Sequence, residues 1–348
     1  MQFIKSVVVL GLLISSLIAN AEDRGKAYVS NQEGGVSVIN LNTMETEDSI
    51  DIQAKNPRGI GITEDGHYLI TANKDDENLS VFDLKTNQFV KHISVGKNPE
   101  FVRVFKGQVF VSTEPASTGK PPVAGKEDDD NKDEPKIPAR IAVVDLVKGK
   151  KVRDIIGGPE TEGIEFSKSG KEIIVTNEAD NTITVHNFSN GKLLKTISTK
   201  KYGDRPRGIK VSPNGKYYVA TLEYGNNFIV LDSQFKHLKT VATGESPYGV
   251  SFDREGKRLF VATSKAKTLE VYDTANFEKI KDIPTGRRCW HFSFSPDDKD
   301  ILLACGKSDE VLVIDADKLE VTKRIPNKEI PWGIVVYPKA MGSLDTVK

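Results

Sequence analysis

The sequence carries few of the residues that enzymes commonly use for cofactor attachment or nucleophilic catalysis. It has two cysteines and five histidines in 348 residues. It contains no C-x-x-C-H haem attachment motif, no H-E-x-x-H zinc helix, no G-x-S-x-G nucleophile turn and no glycine-rich phosphate loop. These absences predict no bound cofactor and no metal site, and they favour a protein without enzymatic activity.

An excess of charge is also absent. Lysine plus arginine and aspartate plus glutamate each number 49, and this balance gives no general attraction to nucleic acid or to an anionic membrane. The one long apolar run, VVVLGLLISSLIA, follows Lys5 and ends in the small-residue pattern Ala19-Asn20-Ala21, which is typical of a cleaved signal peptide. We expect residues 1–21 to be removed on export and the mature chain to be periplasmic or secreted, without membrane insertion.

What the sequence does contain is one short unit that occurs seven times. The recurring segments are PRGIGITEDG, PEFVRVFKG, TEGIEFSKSG, PRGIKVSPNG, PYGVSFDREG, CWHFSFSPDD and PWGIVVYP. Their second residues follow one another at intervals of 42, 62, 45, 41, 42 and 42. A repeat of about 42 residues made of short alternating runs is typical of a β-propeller blade.

A second marker repeats in phase with the first. Seven Val- and Ile-rich segments each end on Asn or Asp, at Asn40, Asp83, Asp145, Asn187, Asp232, Asp273 and Asp315. Short side chains of this kind accept hydrogen bonds from backbone amides two residues on, which closes a turn at the end of a strand. The marker therefore predicts a structural role for these residues.

Each unit reads as four strands, so the sequence predicts an all-β fold, a seven-bladed β-propeller of four-stranded blades over residues 22–340. A C-terminal tail would follow at 341–348. The last unit provides only a first strand, PWGIVVYP, and the mature N-terminus provides KAYVSN, VSVINL and TEDSIDI. We expect these N- and C-terminal strands to pair in one blade, because pairing closes the ring and removes exposed sheet edges.

The interval of 62 residues marks an insertion at 115–139, between the second and third strands of blade two. It is rich in proline, glycine, lysine and acids, with little apolar surface to bury, so we expect a disordered spacer. Its acidic stretch from Glu127 to Glu134 lacks the residue spacing of a calcium-binding loop.

The mouth of the channel is the predicted binding site. In a propeller the first strand of each blade begins on the face where the second strand ends, so these positions meet around one mouth. Arginine and aromatic side chains there suit a small anionic ligand or a protein partner. The alternative is that these charges pair with each other and only close the ring. The predicted site comprises Arg58, Glu100, Glu178, Arg207, Glu223, Tyr248, Arg288, Trp290 and Trp332.

Two further residue types bear on this site. His291 follows Trp290 on one strand, so strand alternation predicts that it faces away from the mouth.

Cys289 and Cys305 lie on the first two strands of blade six, and a regular hairpin would place them directly opposite each other. A disulfide is then feasible in an oxidising compartment. Two reduced buried thiols and a redox-active pair are the alternatives.

The repeats resemble a known family. The tetrapeptides YVSN, YVAT, FVAT and IVTN are similar to the motif that names the YVTN group of bacterial β-propellers. PETEGIEFSKSGK, RPRGIKVSPNGKYYVA, GRRCWHFSFSPDD and PWGIVVYP resemble exported propeller proteins encoded beside PQQ-dependent alcohol catabolism and transport systems. The resemblance implies a binding or accessory protein whose partner is a periplasmic quinoprotein dehydrogenase or a transport component.

An enzyme on the same fold is the alternative function. Related propellers include the haem d1 domain of nitrite reductase and the large subunit of methylamine dehydrogenase, which carry cofactors. A metal-dependent lactonase is a further possibility, and it would require Glu114, Glu178 and Glu223 to converge with Asn177 on one ion.

Overall fold

A computed structural model describes residues 23–115 and 137–347, which form seven four-stranded antiparallel sheets. The innermost strand of each sheet contacts that of the next, and the last contacts the first, so the sheets close into a ring. The predicted seven-bladed all-β propeller is confirmed. The predicted signal peptide at 1–21 and most of the predicted insertion at 115–139 lie outside the described residues.

Within each blade the strands follow one another outwards from the channel. Blade one comprises β4 (Pro57–Ile62), β5 (Tyr68–Asn73), β6 (Asn78–Asp83) and β7 (Gln88–Ser94). Blade two comprises β8 (Pro99–Phe105), β9 (Gln108–Thr113), β10 (Arg140–Asp145) and β11 (Lys150–Ile156). Blade three comprises β12 (Thr161–Phe166), β13 (Glu172–Asn177), β14 (Thr182–Asn187) and β15 (Leu193–Ser198). Blade four comprises β16 (Pro206–Val211), β17 (Tyr217–Leu222), β18 (Asn227–Asp232) and β19 (His237–Ala242).

The remaining blades follow the same order. Blade five comprises β20 (Pro247–Phe252), β21 (Arg258–Thr263), β22 (Thr268–Asp273) and β23 (Lys279–Pro284). Blade six comprises β24 (Cys289–Phe294), β25 (Asp300–Cys305), β26 (Glu310–Asp315) and β27 (Glu320–Pro326). Blade seven comprises β28 (Pro331–Tyr337), β1 (Lys26–Asn31), β2 (Val36–Asn40) and β3 (Glu45–Ile50). A single 3₁₀ turn, Gly306–Ser308, is the helical part of the described residues.

Blade seven joins the two ends of the chain, as the sequence predicts. β28 pairs with β1 in an antiparallel register that sets Lys26 opposite Tyr337 and Val29 opposite Ile334. No strand edge faces the gap where the ring closes, because the C-terminal strand is innermost and the N-terminal strands complete the sheet.

The hydrophobic core lies between the blades. Inner and middle strands are buried on both faces because each sheet packs against two neighbours, which explains their runs of valine, isoleucine and phenylalanine. Outer strands are mostly exposed, and some are polar, as in Glu45–Ile50. No helix among the described residues is long and apolar enough to span a membrane.

The strand-ending Asn and Asp residues close turns, as predicted. Asn40 Oδ1 accepts the backbone N–H of Asn42 at 2.8 Å, and Asp232 Oδ1 accepts that of Gln234 at 2.9 Å. The same bond recurs at Asp83, Asn187, Asp273 and Asp315. Asp145 differs, because the structure records its bond from the N–H of Lys148, one residue further along.

A β-bulge near the start of the innermost strand departs from the regular hairpin that the sequence suggested. In blade six Cys289 pairs with Cys305, but Phe292 pairs with Leu303, so two residues of β24 lie opposite one residue of β25. Blades one to five carry the same shift at the equivalent position. The bulge changes the direction of the side chains of the second and third residues, which no longer alternate as they would in a regular strand.

Candidate functional site

The mouth of the channel lies where the innermost strands begin. The backbone N–H after each second strand reaches back to the turn before the first strand, as in Glu178 to Glu160 at 2.8 Å and Glu223 to Arg205 at 2.9 Å. The residue immediately before each innermost strand has a left-handed backbone with φ of 50° to 60°. These residues are Asn56, Asn98, Glu160, Arg205, Ser246, Arg288 and Ile330. This conformation is uncommon for long or β-branched side chains, and its repetition keeps seven chain segments converging on one face.

Arg207 is the centre of a buried cluster of charges at this mouth. Its Nε lies 2.8 Å from Glu223 Oε2, and its Nη1 lies 3.5 Å from Glu162 Oε1. Nη1 also forms an ion pair with Glu178 Oε1. One guanidinium with only 12% of its side chain exposed therefore contacts carboxylates of blades three and four.

Arg205 and Arg58 extend the cluster on both sides. Arg205 pairs with Glu178 and lies 3.4 Å from Glu160 and 3.7 Å from Glu223. Arg58 of blade one pairs with Glu100 of blade two. The mouth therefore carries two sets of ion pairs, one between blades one and two and one in blades three and four. Glu114 lies between them, with a carboxylate oxygen within 4.8 Å of those of Glu162 and Glu178. We call the eight residues at its centre the acid–arginine cluster. They are Arg58, Glu100, Glu114, Glu162, Glu178, Arg205, Arg207 and Glu223.

Three glutamates of this cluster bind protons more strongly than usual. Burial raises the pKa of Glu114 well above its ordinary range, and the negative charges of Glu100, Glu162 and Glu178 add to the effect. Burial likewise raises the pKa of Glu178 well above its ordinary value and raises that of Glu162, although arginines oppose both shifts. Buried carboxyls with raised pKa are the groups that proteins use to take up and release protons near neutral pH.

Glu223 shows the opposite behaviour. Its burial alone would raise its pKa, but the charges of Arg207 and Arg205 outweigh burial and hold the pKa below its ordinary value. Neighbouring carboxyls with pKa values pushed in opposite directions are a feature of sites that carry out acid–base chemistry.

The cluster also offers oxygen ligands that could surround a cation. Oxygens of Glu114, Glu162 and Glu178 lie within 4.8 Å of one another, and all three residues are buried. Arg207 contacts two of these carboxylates and would repel a metal ion there. Asn177 Oδ1 instead accepts two hydrogen bonds, from the N–H of Gly158 and from the hydroxyl of Thr161, both at 2.9 Å. The ligand set that the sequence suggested for a metal-dependent lactonase is therefore not assembled.

Below the acid–arginine cluster lies a layer of aromatic rings. The imidazole of His291 is 4.4 Å from the Trp332 ring, 5.4 Å from the Tyr248 ring and 6.0 Å from the Phe101 ring, measured between centroids. Because Phe101 belongs to blade two, across the ring from blade six, the imidazole stands in the channel. Burial lowers the pKa of His291 to about 3 and keeps the ring neutral.

The expectation that His291 faces away from the mouth is wrong. Strand alternation would separate it from Trp290, but the bulge in β24 sets both residues opposite Ala304 and lets both approach the channel. Trp290 lies at the rim, where its ring occupies the space beside Gly306 and Ile330. Trp290 and Trp332 belong to one apolar cluster, so they share this end of the channel.

The structure brings together most of the residues predicted at the mouth. Arg58 pairs with Glu100, and Arg207 is joined to Glu178, Glu223 and Tyr248 by ion pairs and a hydrogen bond. Arg288 is half-buried at the rim, where its charge helps to lower the pKa of Glu223. Cys289 and Cys305 form a disulfide at the same edge of blade six.

The predicted site omits Arg205, Glu114 and Glu162, although the strand rule that selected its other members places these three at the same mouth. Arg205 lies one residue before β16, and Glu114 follows β9. Glu162 occupies the same position in its unit as Arg207 does in the next, and this equivalence was the signal that could have identified it.

Comparison with known proteins supports the fold. No protein-family model matches the sequence, and no curated protein is significantly similar to it. A Bacteroides uniformis protein assigned as a 6-phosphogluconolactonase has a TM-score of 0.73 at 17% identity, over 90% of this chain and 99% of that one. A periplasmic gluconolactonase of Pseudomonas aeruginosa has a TM-score of 0.71 at 14% identity, over 90% and 98% of the chains. Hydrazine synthase of Kuenenia stuttgartiensis has a TM-score of 0.70 at 19% identity, over 85% and 93%.

At these identities the likeness shows the fold, and the chain is a seven-bladed β-propeller of the architecture that these proteins share. The expectation of a non-enzymatic accessory protein of PQQ-dependent alcohol catabolism is wrong. Three of the structures that match this fold over nearly their whole length bear the names of lactonases, and this finding overturns that expectation.

Proposed function

We propose that the protein is a lactone hydrolase that acts at the mouth of its channel, on a sugar-acid lactone or a related cyclic ester. The observation that carries the proposal is the position of Arg207, whose guanidinium contacts Glu162, Glu178 and Glu223. Hydrolysis of a lactone needs a base that activates water and a positive group that stabilises the oxyanion. The names of the lactonases that share the fold support the same chemistry.

The reaction requires no co-reactant other than water. Glu178, as the carboxylate, accepts a proton from water while the water oxygen attacks the carbonyl carbon of the lactone. The carbonyl oxygen takes the electron pair and accepts hydrogen bonds from Arg205 and Arg207. When the intermediate collapses, the ring C–O bond breaks, and the ring oxygen takes the proton back from Glu178. The product is one open-chain hydroxy acid.

The raised pKa of Glu178 suits this role. A carboxylate whose pKa lies well above the ordinary range is a stronger base once ionised, and it returns the proton readily to an alkoxide. We expect hydrolysis to increase with pH as Glu178 ionises.

The rim supplies positive charge for an anionic substituent, in line with the small anionic ligand expected from the sequence. The Arg288 guanidinium forms no ion pair with the carboxylates of residues 23–115 and 137–347. Lys74, with 11% of its side chain exposed, approaches Glu100 only to 3.8 Å. A carboxylate or phosphate on the substrate could bind between these cations and the lactone carbonyl.

We also propose that the protein works in the periplasm. The first 21 residues have the pattern of a signal peptide, and a similar structure carries the name of a periplasmic gluconolactonase.

The test is hydrolysis of glucono-δ-lactone and of its 6-phosphate by the purified mature chain, followed as acid release above the spontaneous rate. We expect Glu178→Gln to reduce kcat by at least about 100-fold, the typical contribution of general base catalysis. Arg207→Lys keeps the charge but loses the forked donors, and we expect it to lower kcat as well. Ser251→Ala, in the channel wall of blade five, is the matched control. Wild-type activity in Glu178→Gln would refute the assigned base, and no hydrolysis of either lactone by the wild type would refute the function for this substrate class.

A further inference from the structure

The C-terminal segment, residues 340–347, enters the channel from the face opposite the mouth. It follows β24 from its end toward its start. The carbonyl of Met341 accepts the N–H of Phe294 at 2.8 Å, Gly342 forms a bridge with Ser293, and the N–H of Ser343 donates to the carbonyl of Phe292 at 2.8 Å. The segment thus runs along β24 inside the ring as far as the aromatic layer.

Leu344 is the tip of this segment. The N–H of Gly342 donates to the carbonyl of Asp345 at 3.0 Å, which turns the chain back on itself around Ser343 and Leu344. Leu344 is 2% exposed and belongs to the same apolar cluster as Phe101, Tyr248 and Trp332. The carbonyl of Leu344 accepts a hydrogen bond from Arg103 of blade two, and the preceding Ser343 contacts His291 of blade six, so the tip lies in the channel between opposite blades.

Three buried charged residues in the channel wall lie beside the segment, and two of them bind its backbone. Arg103, Glu165 and Lys210 occupy the same position in the innermost strands of blades two, three and four, and each is at most 3% exposed. Arg103 pairs with Glu165 at 3.0 Å and donates to the carbonyl of Leu344 at 3.0 Å. Lys210 donates to the carbonyl of Asp345 at 3.1 Å. Buried cations need acceptors, and the backbone carbonyls of the C-terminal segment provide them.

A hydroxyl joins the segment to the aromatic layer. Ser343 Oγ lies 3.1 Å from His291 Nδ1 and also accepts the N–H of Phe292 at 3.0 Å. Ser343 therefore fixes the orientation of the imidazole that contacts Trp332 and Tyr248.

We propose that residues 340–347 are a plug that closes the channel from the face opposite the mouth, so that the acid–arginine cluster is reached from one side only. The plug has a physical consequence, because burial raises the pKa values of Glu114, Glu162 and Glu178 only while bulk water is excluded from the far side. It is held by hydrogen bonds from Arg103, Lys210 and β24 and by the burial of Leu344. The proposal does not depend on the identity of the substrate or on any activity.

The two tryptophans of the chain allow a direct test. In a Trp290→Phe background Trp332, which is 2% exposed, becomes the only tryptophan and reports on the layer above Leu344. We expect deletion of residues 340–348 to raise the acrylamide quenching constant of Trp332 severalfold. Deletion of residues 347–348 alone, which removes none of the contacts described above, is the matched control and should leave quenching unchanged.

The pKa of His291 provides a second measurement, which reports whether water enters the channel. His291 is neutral because of burial and the nearby charges of Lys210 and Arg207, and hydration of the channel should raise its pKa from about 3 toward the ordinary range. NMR titration of His291 should show this rise in the variant lacking residues 340–348 and not in the control. If the long deletion prevents folding, Leu344→Ala provides the same two measurements with smaller expected changes. A folded deletion or Leu344→Ala protein in which Trp332 stays protected and His291 does not titrate would overturn the plug.

Discussion

The hydroxyl of Tyr248 donates a hydrogen bond to Glu162 Oε1 over 2.6 Å, although the two residues are 86 positions apart and belong to blades five and three. Arg207 of the intervening blade lies over the tyrosine ring at 4.8 Å, and its Nη1 is 3.3 Å from the hydroxyl. Burial raises the pKa of Glu162, and the bonds from Arg207 and Tyr248 oppose that rise. The contact therefore joins three blades and controls how readily Glu162 loses its proton.

Tyr248→Phe should remove this control. The variant leaves a buried carboxylate oxygen without its hydroxyl donor, which costs about 1–3 kcal/mol in the free energy of unfolding. The pKa of Glu162 should increase, so the rising limb of any pH–rate profile that depends on Glu162 should move to higher pH. Tyr272→Phe is the matched control, since Tyr272 donates to Glu270 at 2.5 Å in blade five, outside the acid–arginine cluster. Equal pH profiles for the two variants would show that the Tyr248 hydroxyl does not control the pKa of Glu162.

Much of the fold could be predicted because propeller blades repeat. The strand-ending residues such as Asn40 and Asp232 mark blade edges through local hydrogen bonds, which depend only on neighbouring residues. Closure by β1 and β28 followed from counting strands. The β-bulge could not be read in this way, because it adds a residue to the strand without changing its apolar pattern. His291 was misplaced for this reason.

The site was less predictable than the fold. Strand starts identify which side chains surround the mouth, and Arg58 and Arg207 were found by that rule. The pairing of each arginine depends on distances between blades, which are not encoded in a single repeat. The position of Leu344 in the channel depends on contacts with Arg103 and on a turn closed by Asp345, neither of which follows a repeating pattern.

The disulfide predicts a stability difference between oxidised and reduced protein. Cys289 and Cys305 are 16 residues apart in sequence, and a loop of this size constrains the unfolded chain by about 3 kcal/mol. The double variant Cys289→Ser, Cys305→Ser should lose roughly this much unfolding free energy. Titration of the denatured, unreduced wild type should find no free thiol. Two reactive thiols per chain would show that the pair is reduced in solution.

Removal of the insertion should leave the propeller intact. Thr113 and Arg140, the residues that flank it in β9 and β10, are direct partners in the antiparallel register, so a short turn can connect the two strands. Deletion of residues 116–136 with a turn of two to four residues in their place should change the unfolding free energy by less than about 1 kcal/mol. Thermal unfolding measures this directly, and a loss of several kcal/mol would show that the segment contributes to the folded structure.

Glu114→Gln should stabilise the protein at neutral pH. In the wild type, burial and three neighbouring carboxylates raise the pKa of Glu114 in the folded state. The unfolded chain has the ordinary pKa of about 4.3, so the unfolded state loses the proton first as pH rises, and stability falls between that pKa and the folded one. Glutamine keeps the shape of the side chain and removes this loss. We expect a higher unfolding free energy at pH 7 and a flatter dependence of that free energy on pH.

Glu223→Gln is the control with the opposite sign. Arginine charges outweigh burial and lower the pKa of Glu223, so its carboxylate contributes stability above the unfolded pKa, and that contribution is lost as pH falls through the folded pKa. Glutamine there should destabilise the protein at pH 7, because Arg207 loses its partner at 2.8 Å. Urea unfolding of both variants at several pH values measures the two effects. Destabilisation by Glu114→Gln at pH 7 would contradict the raised pKa of Glu114 in the folded protein.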